Sequence, residues 1–221
     1  METSCARGGV ALMRGEDPVA VRLFEEGMTH GRALLSVVCE VLAGADVGLR
    51  EVDVFAVDAG PGSFTGLRIG AVAAKTLAWA LEKPLAVALS VDALGAACLS
   101  SGVAPPVACL MDAYRGLLYG ALYAPERVFL ELLEPSEALA RLPADATVVG
   151  DGRARYPEMF SSFPTAAADL QLPHPVHVGR LAFRAWRRGE TVDPFEFVPL
   201  YMRRSEAEER RGVDASPESL A

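Results

Sequence analysis

Histidine is scarce in this chain, with three in 221 residues. His30, His174 and His177 form neither H-x-x-x-H nor H-E-x-x-H, so a helical zinc site of the metallopeptidase kind cannot be assembled from local spacing. His174 and His177 lie around Pro175 and are expected as loop surface residues, and His30 as a helix-start or packing residue. Cysteine is also sparse. Cys5, Cys39, Cys98 and Cys109 make no C-x-x-C pair, which excludes a zinc ribbon or a thioredoxin-like site and leaves scattered thiols of a reducing compartment. Positive charge is in deficit, with 21 Lys and Arg against 29 Asp and Glu and a formal net charge of −8. A protein that grips nucleic acid through its own field needs clustered cations, so any role near RNA would be indirect. No window approaches the roughly 18 apolar residues of a membrane span, and no basic region followed by an apolar stretch opens the chain. A cytoplasmic location is expected.

What is present is an α/β pattern. Half the residues are hydrophobic (51%), ample for a buried core. Val10–Met13 and Val19–Phe24 read as a hairpin, and residues 30–42 as a helix closed by Gly44. Residues 52–57 are a buried strand, 66–81 a second helix stopped before Pro84, 85–89 a strand and 91–99 a helix, the grammar of a βαβ unit. After Pro105-Pro106 the pattern restarts: strands at 107–111, 116–123 and 147–150, and helices at 135–142 and 179–189. The chain therefore divides into an N-terminal α/β half (1–103), a C-terminal α/β half (104–203) and a polar tail (204–221) expected to be flexible.

The densest motif is Gly60-Pro61-Gly62-Ser63-Phe64-Thr65-Gly66-Leu67-Arg68-Ile69-Gly70. A glycine turn between a strand and a helix gathers backbone N–H groups at a positive helix end, where phosphate binds, so Gly60, Gly62, Ser63 and Thr65 are phosphate-contact candidates. Against this, the third glycine falls one residue late for G-x-G-x-x-G, and no Gly-Lys-Ser/Thr follows. The alternative is structural: the glycines allow a tight turn, and Ser63 or Thr65 caps the helix. Gly66, Gly70, Ala74 and Ala78 recur every four residues and leave one ridge nearly bare, fit for close helix approach within the chain or with another molecule. G-x-S-x-G is absent, so a serine nucleophile elbow is not indicated. Asp58 and Asp112, both at strand ends, would suit magnesium and phosphate if they faced one another, and are otherwise turn residues.

The run from Gly60 to Gly70 resembles the signature of the YeaZ family, also called TsaB, whose superfamily includes glycoprotease-like relatives. Glu2-Thr3-Ser4 resembles the family's D-T-S turn, and Thr29-His30 with Leu34-Leu35 its first helix. Met111-Asp112-Ala113-Tyr114-Arg115 through Tyr119 resembles D-A-R-R-x-x-x-Y, and Pro199-Leu200-Tyr201-Met202-Arg203 the closing P-x-Y-x-R. The resemblance implies an ASKHA (actin and hexokinase-like) fold with two α/β halves and mixed sheets. It further implies a non-catalytic companion of the paralogue TsaD, which transfers a threonylcarbamoyl group to adenosine 37 of tRNA, with TsaE joining the assembly and tRNA touched only indirectly. Homodimerisation through the same helices is a further implication, as is the absence of an obligatory cofactor, with at most weak affinity for ATP or ADP and magnesium. Two departures stand out: glutamate replaces the family's aspartate at position 2, and the apolar strand expected ahead of it is either short or lies upstream of a late-assigned start. The expected partner interface comprises Leu34, Val38, Val41, Gly66, Arg68, Gly70, Ala74 and Ala78. The rival reading is an ATP-dependent small-molecule phosphotransferase of the same fold.

Overall fold

The computed structural model describes residues 1–24 and 30–203, with the side chains of His30 and Arg32 outside the description. The expected tail at 204–221, Thr29 and the His30 side chain therefore lie outside the described residues. The hairpin is formed by β1 (Gly9–Arg14) and β2 (Asp17–Leu23), followed by helix α1 (His30–Ala43). Strand β3 (Phe55–Asp58), helix α2 (Phe64–Ala80) and strand β4 (Leu85–Ala88) make the anticipated βαβ unit, with β3 and β4 parallel. Helix α3 (Ser90–Ser100) leads to the second sheet.

That sheet holds β5 (Val107–Asp112), β6 (Leu118–Tyr123), β7 (Arg127–Leu133) and β8 (Thr147–Val149) in the order β7-β6-β5-β8. The first three are antiparallel neighbours and β8 runs parallel to β5. Helices α4 (Pro135–Arg141), α5 (Asp151–Arg155) and α6 (Pro175–Arg187) are the remaining α-helices among the described residues. Strand β7 and the short α5 are not anticipated by the sequence pattern. The α6 helix starts four residues before the expected position, because His174 caps it, its ring Nδ1 accepting from the Val176 N–H at 3.3 Å, and Pro175 occupies the first helical position. The two histidines are thus half-buried rather than loop surface residues. Burial pushes the His177 imidazole down to about 4, so that ring is neutral near pH 7.

A sheet rich in parallel pairing needs cover on both faces. The first sheet is in two pieces, β1-β2 and β3-β4, each a separate two-stranded pair; α1 and α2 pack one face around Leu34, Val38, Val41, Val57 and Ala74, and α6 packs against β1, β3 and β4 on the other. The second sheet buries Cys109, Met111 and Tyr119 beneath Val91 and Leu94 of α3, and Leu110, Leu118 and Val148 beneath Phe160 and Ala138. Two helices therefore cross the Pro105-Pro106 line. Helix α3 covers the second sheet, where Tyr123 donates to Asp92 at 2.7 Å, and α6 returns to the first.

The bare ridge of α2 lies inside the chain. Gly66 and Gly70 face Thr3: a Cβ at Gly66 would land on the Thr3 carbonyl oxygen, and one at Gly70 on the Thr3 hydroxyl. Ala74 and Ala78 are fully buried beyond them. Gly66→Ala should therefore lower stability by about 2–3 kcal/mol, the scale of an overpacked core. Urea denaturation will register this as a shift in midpoint.

Candidate functional site: the junction around the glycine turn

Four segments far apart in sequence meet at the C-terminal end of β3. Backbone pairing places Met1–Ser4 beside β3, with the Asp58 N–H donating to the Met1 carbonyl at 3.0 Å. The glycine turn follows Asp58, and Gly60 takes a positive φ of 97° that only glycine adopts without strain. Ser63 ends the turn as the N-cap of α2, accepting from the Gly66 N–H at 3.2 Å, so the capping expectation holds for Ser63; Thr65 is an exposed residue of the first turn. The turn is clamped from three sides. Ser63 N–H donates to the Ser4 carbonyl at 2.8 Å, Ser90 N–H to the Gly60 carbonyl at 2.9 Å, and Leu200 N–H to the Ala59 carbonyl at 2.7 Å.

The closing segment belongs to this junction as well. Tyr201 lies against Phe64, ring centroids 4.8 Å apart, while Arg68 sits 3.9 Å above the same Phe64 ring. Arg203 donates to the Ala113 carbonyl, tying the segment to the turn after β5.

At the centre two carboxyl groups are shut off from solvent. Glu2 and Asp58 both have zero exposure. The Ser4 hydroxyl lies 2.6 Å from Glu2 Oε1 and 3.1 Å from Asp58 Oδ2, bridging the pair. Asp58 Oδ1 also accepts from Ser90 Oγ and the Gly60 N–H, each at 2.6 Å, and the Cys5 thiol donates to Glu2 Oε2 at 3.1 Å. Burial first, and the neighbouring Asp58 charge second, push the Glu2 carboxyl up to about 8. Burial likewise raises Asp58, opposed by its hydrogen bonds from Ser90, Gly60 and Ser4. Near neutrality Glu2 keeps its proton and the pair carries one negative charge at most.

This arrangement has little room for phosphate chemistry. The Gly60, Ser63 and Gly66 N–H groups that would cradle an anion are all engaged within the chain. A Cβ at Gly62 would meet Ser4 at 2.7 Å, so that glycine accommodates the chain's own N-terminal segment. Asp112 is not joined to Asp58: its carboxylate accepts from the Tyr114 N–H at 2.8 Å, the turn role, while its own N–H donates to Asp151 at 2.8 Å. Among the described residues no three His, Cys, Asp or Glu side chains gather as a metal-binding set.

The eight expected interface residues separate sharply. Leu34, Val38, Val41, Gly66, Gly70, Ala74 and Ala78 are buried within the chain, and only Arg68 is exposed. The Gly66 and Gly70 end of the ridge is occupied by the chain's own Thr3, and Ala74 and Ala78 are buried beyond it. The outward stripe of α2 runs through Arg68, Val72, Thr76 and Trp79, with Val72 64% exposed. Trp79 meets exposed Phe195 edge-on at 5.9 Å, and Leu35 is exposed on α1. Exposed apolar residues at helical spacing are not separable in the sequence from the equally apolar buried face of the same helix.

Comparison with known proteins places this geometry. The chain is 30% identical to the tRNA threonylcarbamoyladenosine biosynthesis protein TsaB of Haemophilus influenzae, over 92% of both chains. The chain belongs to the TsaB family. Its TsaB relative in Bacillus subtilis is 29% identical over 94% of each chain. A crystal structure from Pseudomonas aeruginosa, described as an uncharacterized protein with similarity to peptidase YEAZ, superposes with a TM-score of 0.80 at 29% identity, covering 91% of this chain and 97% of that one. The family model of TsaD, a tRNA N6-adenosine threonylcarbamoyltransferase, matches residues 27–134. The fold is of the ASKHA type.

The raised Glu2 carboxyl sets a pH dependence with a definite sign. Between the ordinary carboxylate range and about 8 the folded chain holds a proton that the unfolded chain has released, so stability falls as pH rises through that window and levels off above it. Glu2→Gln should flatten this slope, measured as thermal midpoint against pH from 5 to 9.

Proposed function

We propose that this TsaB-family chain is a non-catalytic partner subunit of tRNA threonylcarbamoyladenosine biosynthesis, which binds and stabilises TsaD in the cytoplasm, with TsaE joining the assembly and tRNA held by the partners. The observation that carries the reading is the contrast between the two faces of α2. The inner face and the glycine turn are filled by the chain's own Met1–Ser4 segment. The outer face presents Val72 and Trp79, with Leu35 of neighbouring α1, as an apolar surface with a cationic rim at Arg68. Exposed aromatic and aliphatic anchors grouped on paired helices are what an interface core requires. The same surface serves a homodimer when TsaD is absent. None of the described helices is long and apolar enough to cross a membrane.

Catalysis by this chain is not supported by its carboxylates, since the two at the junction are buried against one another. Under this reading no nucleotide or metal is needed for the subunit's role.

Two experiments test it. Val72→Asp should reduce co-purification with TsaD from the same organism at least tenfold, a loss of about 1.4 kcal/mol or more, with the thermal midpoint unchanged; retained binding would refute the surface. Ala74→Arg is unsuitable as a binding test, because Ala74 has zero exposure and the variant should fail to fold. Titration calorimetry of the wild-type chain with ATP and magnesium should give no micromolar binding, and a micromolar signal would favour the phosphotransferase reading.

A further inference from the structure

The chain carries a net charge of −8, yet four of its 21 Lys and Arg stand close together as Arg180, Arg184, Arg187 and Arg188, and no acid occurs between Asp169 and Glu190. All four lie on α6 or at its C-cap, and the helix turns its other side, Val176, Val178, Gly179 and Ala182, into the core. Arg180, Arg184 and Arg188 recur every four residues, so they climb one ridge in steps of about 6 Å. The ridge is held in place and left chemically open. Arg180 donates through Nε to the Glu16 carbonyl at 3.0 Å, and its two terminal nitrogens have no partner among the described residues. Arg184 forks onto the Glu16 carboxylate at 2.9 and 2.6 Å, and Arg188 onto Glu190 at 2.6 and 2.7 Å, both pairs exposed. Exposed pairs of this kind contribute little to stability and exchange readily for another anion. Arg187 is exposed and has no partner among the described residues. The helix dipole accounts for cations in the last turn, but Arg180 lies about two turns earlier, beyond its reach.

We infer that this face of α6 is a contact for the phosphodiester backbone of RNA, through which the chain holds part of the tRNA on which its complex acts. The inference rests on the proposed function and goes beyond it, giving the chain a share in a contact otherwise left to the partners. The chemistry of the face selects that occupant. A protein interface needs an apolar core, and among the described residues none of the exposed large hydrophobic side chains lies on α6. Insertion into a lipid surface needs an apolar helix face, and that of α6 is spent on β1, β3 and β4. What remains is guanidinium, whose planar fork matches phosphate oxygens in pairs. The location agrees. Helix α6 covers the side of the first sheet opposite α1 and α2, so TsaD seated on Val72 and Trp79 leaves the arginines open.

Salt-dependent binding of tRNA tests the inference, on the isolated chain and on its complex with TsaD. The isolated chain should bind tRNA with a Kd no weaker than about 10⁻⁴ M at about 50 mM salt, and each phosphate contact adds roughly 0.7–0.9 to the slope of log affinity against log salt. Arg187→Ala, which breaks no contact within the chain, should lower that slope by about 1. The triple variant Arg184→Ala/Arg187→Ala/Arg188→Ala should lower it by about 2–3 and weaken binding at least about tenfold. Co-purification with TsaD and the thermal midpoint of Arg187→Ala should be unchanged. An isolated chain that does not bind tRNA, or a triple variant with the affinity and slope of wild type, would overturn the inference. Loss of TsaE recruitment with tRNA binding intact, the mark of an acidic protein on this face, would overturn it too. Failure of the wild-type chain to bind TsaD would instead refute the proposed function, and the slopes of the isolated chain would still decide for or against the arginine face.

Discussion

Everything at the junction depends on how closely the Thr3-Ser4 backbone passes the first two turns of α2. That approach is possible because Gly62, Gly66 and Gly70 have no side chains where Ser4 and Thr3 lie. It brings Glu2 against Asp58, lets Ser4 receive the Ser63 N–H, and sets the angle at which α2 leaves the sheet. The result is a polar centre with no exposed carboxylate, enclosed by apolar layers on either side. A buried carboxyl pair tolerates such a place by keeping a proton, and the serine hydroxyls and the Gly60 N–H satisfy the remaining lone pairs.

Filling the inner face of α2 from within has a consequence for its outer face. With the ridge used for chain packing, the face of α2 left to solvent carries the exposed Val72 and Trp79, the surface proposed for recognition. The strap from Asp193 to Leu200 reinforces that surface. Lys75 donates to the carbonyls of Phe195 and Phe197, at 3.3 and 2.7 Å, which holds Phe195 beside Trp79. The strap thus carries residues from the chain's end onto the helix that carries the family signature.

Much of this was legible in the residues. The βαβ order, the Ser63 cap and the turn role of Asp112 follow from local chemistry, which does not depend on distant partners. Membership of the TsaB family was legible from the glycine run and its flanking segments. The partner of the bare ridge was not, because four-residue spacing of small residues marks close approach without saying what approaches. Strand β7 was hidden because Glu131 interrupts an apolar run that carries no strict alternation, and its pairing with β6 is decided by the turn at Pro125. The early start of α6 was missed because Pro175 reads as a break until His174 is seen as its cap.

Under the proposed function this chain acts through a surface and not through its carboxylates. The decisive experiment is reconstitution of tRNA modification with TsaD, TsaE and this chain, comparing wild type with Asp112→Asn, which alters the carboxylate that closes the turn after β5. Threonylcarbamoyladenosine formation should require the chain and proceed with Asp112→Asn at a rate within about twofold of wild type, less than about 0.5 kcal/mol in barrier. Modification that proceeds without the chain, or that collapses with a folded Asp112→Asn variant, would contradict it.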